Sequence, residues 1–253
     1  MVVDLQKGSM LKRISAWMFD MIILGIFAVA IAFVLSSVLG YDTHQTTLNN
    51  AYLKYEAEYG ITFDIGEEYL NLTPEEKASY DNAYSALIED KEAMYAYNMV
   101  INLTLVIITI AVLLANIVLN FIMPLLIGDG KTIGKKIFGL AVCRVDGVKI
   151  TAPILFIRTV LGIYTIETMI PILIFIMLMF NMVGIEGTLV LFGILVLEIC
   201  LMIFTKTNSA IHDILAKTVV VDYASQRIFE SEEELIAYKQ RLAAEKADKS
   251  AYF

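Results

Sequence analysis

Charge is what this sequence has least of: 18% of its 253 residues are Asp, Glu, Lys or Arg, where a soluble domain carries about a quarter. So low a charge content disfavours both a disordered chain and a soluble enzyme. Proline is scarce as well, at 4 residues, and neither proline nor glycine occurs between Pro74 and Pro124. A helix could therefore run unbroken from about Pro74 into the apolar residues beyond 98. The two cysteines, Cys143 and Cys200, are too few for a disulfide framework, and no thiol catalysis is signalled.

What is abundant is apolar residue, 58% of the chain, and it comes in long runs. Runs of about 18 or more read as membrane spans. There are four: 14–39, 99–127, 153–182 and 188–204. The first follows Lys7, Lys12 and Arg13, but it far exceeds the roughly 7 to 15 apolar residues of a signal peptide and is expected to be retained. Basic residues set orientation. Lys131, Lys135, Lys136, Arg144 and Lys149 crowd the segment 128–152, whereas 181–187 has none. Both chain ends are then expected in the cytoplasm, and the 41–97 region outside.

The net charge of −8 conceals an asymmetry. Residues 41–97 hold twelve acids against three lysines, a balance of −9, so the rest of the chain sums to +1. Within that segment Thr73-Pro74-Glu75-Glu76 has an N-cap, a proline at the first helical position and a capping-box glutamate. Upstream, Leu48, Tyr52, Tyr55 and Tyr59 keep helical spacing and stop at Gly60. An extracytoplasmic helical hairpin zipped by tyrosines follows; a solvated loop is the plainer alternative. On the basic side, Ala141–Val145 and Val148–Thr151 flank Asp146-Gly147, a strong two-residue hairpin signal, and 218–221 could add a third strand. Ser231 with Glu234 opens a charged terminal helix.

Soluble-enzyme motifs fail. Gly130-Lys131-Thr132 imitates the end of a phosphate-binding loop, but Leu125 stands where the first glycine belongs. His44 and His212 fall on opposite sides of the membrane in this topology, so they cannot share a metal. No enzyme activity, cofactor, metal or nucleic-acid partner is expected; the partner that composition dictates is the lipid bilayer.

The informative residues are the charges in or beside spans: Arg13, Asp20, Arg158, Glu167, Glu198 and Asp213. Each costs about 2.5 to 3.5 kcal/mol at a helix centre, so they face the bundle interior and find partners. At 1.5 Å per residue, Asp20, Glu198 and Arg158 lie roughly 8 to 10 Å in from the inner ends of their spans, with Arg13 and Asp213 a layer below. This predicts a cluster of Asp20 with Arg158 and Glu198, in which the acids bind a cation or proton and the arginines are counter-charges. A structural ion-pair network that only fixes helix register fits the same residues. Arg158 has a second open placement, on an amphipathic lead-in at 153–163 lying along the interface. Glu167 reads as a second station in the outer half, or as a protonated carboxyl.

Three pieces together resemble the RDD family of bacterial membrane proteins, named for one arginine and two aspartates. They are Lys12-Arg13-Ile14-Ser15-Ala16-Trp17-Met18-Phe19-Asp20; Gly130-Lys131-Thr132-Ile133-Gly134-Lys135-Lys136 through Gly139 and Asp146-Gly147 to Arg158; and Ile211-His212-Asp213 through Ala216-Lys217-Thr218. They cover roughly 11–40, 128–162 and 205–222. The resemblance implies functional roles for Asp20 and Asp213, with Arg13 orienting them. It also implies transport, including sodium/proton antiport for some members, or an accessory role beside other membrane proteins. A chain this small would need to oligomerise to form a path.

The expected architecture is an all-α membrane protein: N-terminus and first span (1–40), acidic extracellular insert (41–97), second span (98–127), basic loop with a small cytoplasmic β-hairpin (128–152), third and fourth spans (153–205), motif segment (206–222) and charged tail helix (223–253). The expected function is cation or proton binding and exchange at intramembrane carboxylates. The rival is a regulatory or scaffolding subunit that docks a protein partner, or a second copy of the chain, through 41–97.

Overall fold

A computed structural model describes residues 5–179 and 182–251. Residues 180 and 181, where the third run gives way to the 181–187 connection, lie outside the described residues, as do 1–4 and 252–253. Four helices are long and apolar enough to cross a bilayer: α1 (Met10–Leu39), α4 (Lys91–Ile127), α6 (Ala152–Met179) and α7 (Ile185–Phe204). Between and after them lie α2 (Tyr41–Tyr59), α3 (Pro74–Glu89), α5 (Ile133–Ile137), β1 (Leu140–Arg144), α8 (Ile211–Ala216), β2 (Thr218–Asp222) and α9 (Glu232–Ala251). Large side chains such as Leu126, Phe192 and Phe204 stay exposed on the spans. Surfaces of that kind need lipid around them.

The chain divides into two compact units, 28–111 and 1–27 with 112–253. In the first, α2 ends at Gly60, whose φ of +64° is cheap only for glycine. Tyr55 and Leu87 are buried with Ala93, and Tyr52, Tyr59 and Phe63 close over them. Phe63 meets Tyr52 and Tyr80 edge to face at 5.4 and 5.7 Å. Thr73 and Glu76 form the reciprocal capping box at the start of α3. The continuous helix from Pro74 is corrected: the chain breaks at Asp90 (φ −72°, ψ 106°). The Asp90 carboxylate accepts from the backbone N–H groups of Glu92 and Ala93 and so starts a new helix, while Tyr55 donates to its other oxygen. Aspartate competes with helical backbone in this way wherever a cap is available. The lack of proline and glycine did not reveal it.

In the second unit the β-hairpin is also corrected. β1 pairs antiparallel with β2, Leu140 opposite Asp222 and Arg144 opposite Thr218. Asp146-Gly147 does turn the chain, but the return strand amounts to a single bridge, Cys143 to Lys149. Thr151 and Pro153 then begin α6, so the strand has no room to lengthen. The backbone of Gln6 and Gly8 bonds the far edge of β2. Alternate strand residues feed two cores: Leu140, Val142 and Val220 pack on Ala16 of α1, and Ala141, Cys143, Val219 and Val221 pack on Leu5 and Ile228. Burial raises the Cys143 thiol to about 12, so it packs as an inert apolar group.

Two spans depart from α-geometry. Residues 117–122 of α4 and 157–169 of α6 are wound as π-helix, a local widening that often marks functional sites. The two meet where the Thr159 hydroxyl donates to the Asn120 carbonyl at 2.8 Å.

Candidate functional site

Asp213, near the start of α8, is the centre of the charged group. Its Oδ1 accepts from Arg158 Nε at 3.1 Å, from Arg158 Nη2 at 3.0 Å and from the Thr218 hydroxyl at 2.9 Å. Its Oδ2 faces Arg13 Nη2 at 3.6 Å and His212 Nε2 at 3.5 Å. Oδ2 is fully buried and has no hydrogen-bond partner among the described residues. Burial alone would raise the Asp213 carboxyl; Arg158 above all, with His212, Arg13 and the Thr218 hydroxyl, outweighs it and holds the group well below the ordinary carboxylate range. Arg158 is 1% exposed, so its guanidinium is enclosed by protein.

One residue back, His212 turns toward α6. Its backbone N–H donates to Glu167 Oε1 at 2.8 Å, and its Nδ1 lies 2.7 Å from both Glu167 oxygens. Glu198 of α7 completes the group: ligand atoms of Glu167, Glu198 and His212 all lie within 4.8 Å of one another. Glu167 therefore stands beside Asp213 and not at a separate outer station. The reason is the π-winding. Arg158 and Glu167 are nine residues apart, which at 100° per residue puts them on opposite faces of an α-helix. At the roughly 82° per residue of a π-helix the same nine residues return to within about 20° of one face. Two adjacent residues of α8 can then bind both. Gly162, between them, allows the approach, since a Cβ there would lie 2.6 Å from His212 Cα.

Asp20 is elsewhere. It accepts from the Thr132 hydroxyl and, at 2.7 Å, from the Gly134 N–H, fixing the start of α5 against α1. Gly134 has no room for a Cβ beside the Ala16 carbonyl. The phosphate-loop lookalike thus supplies one of the two groups that hold Asp20, the Thr132 hydroxyl. The expected cluster of Asp20 with Arg158 and Glu198 is corrected: Arg158 joins Arg13 and Asp213, whereas Glu198 joins Glu167 and His212. Counting depth along α-helices could not place the partners.

A cavity of about 410 Å³ opens on this group, lined among others by Arg13, Trp17, Lys135, Glu198, His212 and Asp213. Asp20 is not among its lining residues. Lys135, read from sequence only as an orientation charge, belongs to the site: desolvation first, then repulsion by Arg158 and Arg13, lowers its ammonium to about 8 against the pull of Asp20 and Asp213. His212 was set aside because His44 could not join it; its neighbour Asp213 was the available signal. The whole arrangement concentrates two acids, an imidazole and a bound carboxylate beside this cavity, and such a set can hold a cation or a proton.

No curated protein and no solved structure matches the chain. The family model described as RDD family matches residues 7–217, from before Arg13 to beyond Asp213. The chain therefore belongs to the RDD family, a family of membrane proteins.

Proposed function

We propose that this protein is a non-enzymatic cation-binding membrane protein that exchanges a cation or a proton across a bacterial cytoplasmic membrane, with the Glu167–Glu198–His212 group as the exchange locus. The observation that carries the reading is the cavity, because it brings Glu198 and His212 to an accessible space beside a buried Arg13–Asp213–Arg158 knot. Ionisable groups inside spans are expensive to keep, and most mark ion pathways. The knot fixes α8 against α6, while Asp20 fixes the basic loop. In this reading Asp20 and Asp213 build the site and do not carry the ion.

Sidedness follows from the basic loop. Residues 6–8, 140–144 and 218–222 are joined in one sheet, so the N-terminus, the loop and the segment after α7 share a side, and the lysine excess assigns that side to the cytoplasm. The protein in liposomes should show sodium flux driven by a pH step, and Glu198→Gln should remove at least 90% of it, with Glu89→Gln, in the acidic segment, unchanged. Equal flux in wild type and Glu198→Gln, both normally folded, would overturn the proposal.

A second reading, a docking subunit, is favoured by the tyrosine-lined core that α2 and α3 share with the start of α4. Here 41–97 binds a partner protein or a second copy of the chain. Removal of 44–95 should then abolish co-purification of that partner; undiminished recovery excludes it.

A further inference from the structure

We propose that Glu167, Glu198 and His212 bind one divalent transition-metal ion of the zinc class, with Asp213 positioning the imidazole. The inference rests on the reading that this group is the cation locus, and it names the class of cation the donors select. Magnesium and calcium prefer oxygen donors, and neither gains from an imidazole. Zinc and its neighbours accept a mixed nitrogen and carboxylate set. The three ligand atoms already lie within 4.8 Å of one another. Metal–ligand bonds of about 2.0 to 2.2 Å put tetrahedral ligand atoms about 3.4 Å apart, so the widest pair closes by at most about 1.4 Å while Glu167 and His212 Nδ1, now 2.7 Å apart, open by about 0.7 Å.

The second observation is independent of the three ligands. His212 turns Nδ1 toward Glu167 and Nε2 toward Asp213 Oδ2 at 3.5 Å. That oxygen is buried and without a hydrogen bond among the described residues. A histidine that ligates a metal through one nitrogen nearly always gives its other N–H to a carboxylate, which fixes tautomer and ring orientation. With a metal at Nδ1, the proton is confined to Nε2 and the orphaned oxygen of Asp213 acquires its donor. Arg158 and Thr218 hold Asp213 through the opposite oxygen, so the carboxylate is already aimed.

Charge agrees with this assignment. Two carboxylates neutralise a divalent ion, while Asp213 is taken up by Arg13 and Arg158. Three protein ligands leave a fourth position open, unlike the closed four-ligand set of a structural zinc site. Glu198 and His212 both line the cavity, so that position is accessible.

The test uses the full chain in detergent micelles, without a polyhistidine tag, stripped with chelator and carrying His44→Gln, which leaves His212 as the sole histidine. Zinc chloride titrated calorimetrically should bind at one ion per chain, and Glu198→Gln should weaken it at least 100-fold. Zinc, but not magnesium or sodium at equal concentration, should also protect His212 from diethylpyrocarbonate, a readout that needs no variant at the site. Absence of stoichiometric binding, absence of protection, or zinc affinity unchanged in Glu198→Gln overturns the inference. Sodium flux that depends on Glu198 in a protein that binds no zinc would overturn this assignment alone; zinc binding without any sodium flux would overturn monovalent exchange alone.

Discussion

The unit formed by 28–111 holds twelve acidic residues against three lysines, yet the charges that organise the molecule are the few buried ones in the other unit. In the acidic unit Asp90 and Glu76 serve as caps, and its core is made of tyrosine, phenylalanine, leucine and alanine. In the other, Arg13, Arg158 and Asp213 are each no more than 8% exposed and bind one another. Water screens the first set and is withheld from the second, so an ion pair there matters several-fold more than its contribution to net charge suggests. The largest expected effect breaks that contrast directly. Asp213→Asn leaves two arginines facing a neutral group and should cost about 3 to 5 kcal/mol, whereas Glu58→Gln on exposed α2 should stay within about 0.5 kcal/mol. Unfolding in detergent, followed by circular dichroism, measures both. Similar losses would show that burial does not separate the two regions.

A smaller effect probes how the second unit is packed. Gly162→Ala drives a methyl group into the backbone of His212, and over-packing of this kind costs about 1 to 3 kcal/mol. If α8 shifts to relieve the clash, His212 leaves Glu167, and zinc protection of His212 from diethylpyrocarbonate should be lost as well. Gly193→Ala, on a span at a position with nothing within 4 Å, is the matched control. Retained protection in Gly162→Ala would mean that α8 does not depend on this close approach.

These two regions also differ in how much of them could be read from residues alone. Span positions, the capping box at Thr73 and the stop at Gly60 were legible because each depends on a local pattern: apolar length, an N-cap spacing, a glycine in left-handed conformation. Asp90 was missed because a cap inside a run free of proline and glycine leaves no periodic trace. The sheet was misassigned in part since Asp146-Gly147 signals a turn but not the length of the strand that follows it. In the site, the candidate charges were identified by chemistry, one residue at a time. Their partners were not, because π-winding of 157–169 changes which residues share a face, and no sequence rule applied to α-periodicity carries that information. His212 and Lys135 became visible only once α8 and α5 were placed beside α1 and α6.

Asp90 gives the next prediction, on the acidic side of the comparison. Asp90→Ala removes the cap of α4 together with the hydrogen bond from Tyr55, and should cost about 1 kcal/mol. Asp90→Asn retains an acceptor for the backbone N–H groups and should recover most of it. An alanine variant as stable as wild type would mean that α3 and α4 can fuse into the single helix that composition alone suggests.

The smallest effects separate the regions by pH. Glu76 and Asp90 lie below their ordinary values, through the backbone N–H of Thr73 and of Ala93 respectively. Between those values and the ordinary carboxylate pKa the unfolded chain binds more protons, so their contribution is complete above about pH 5 and is lost as pH falls through the lowered values. Lys135 works at the other end. Its pKa of about 8 in the folded protein compares with about 10.4 unfolded. In that interval the unfolded chain again holds the extra proton, so the stability of the second unit should rise as pH rises from about 8 to about 10. Melting temperature in detergent should therefore climb over this interval in wild type and lie flat in Lys135→Gln. A Lys135→Gln profile that climbs like wild type would mean that the ammonium is not desolvated beside Arg158.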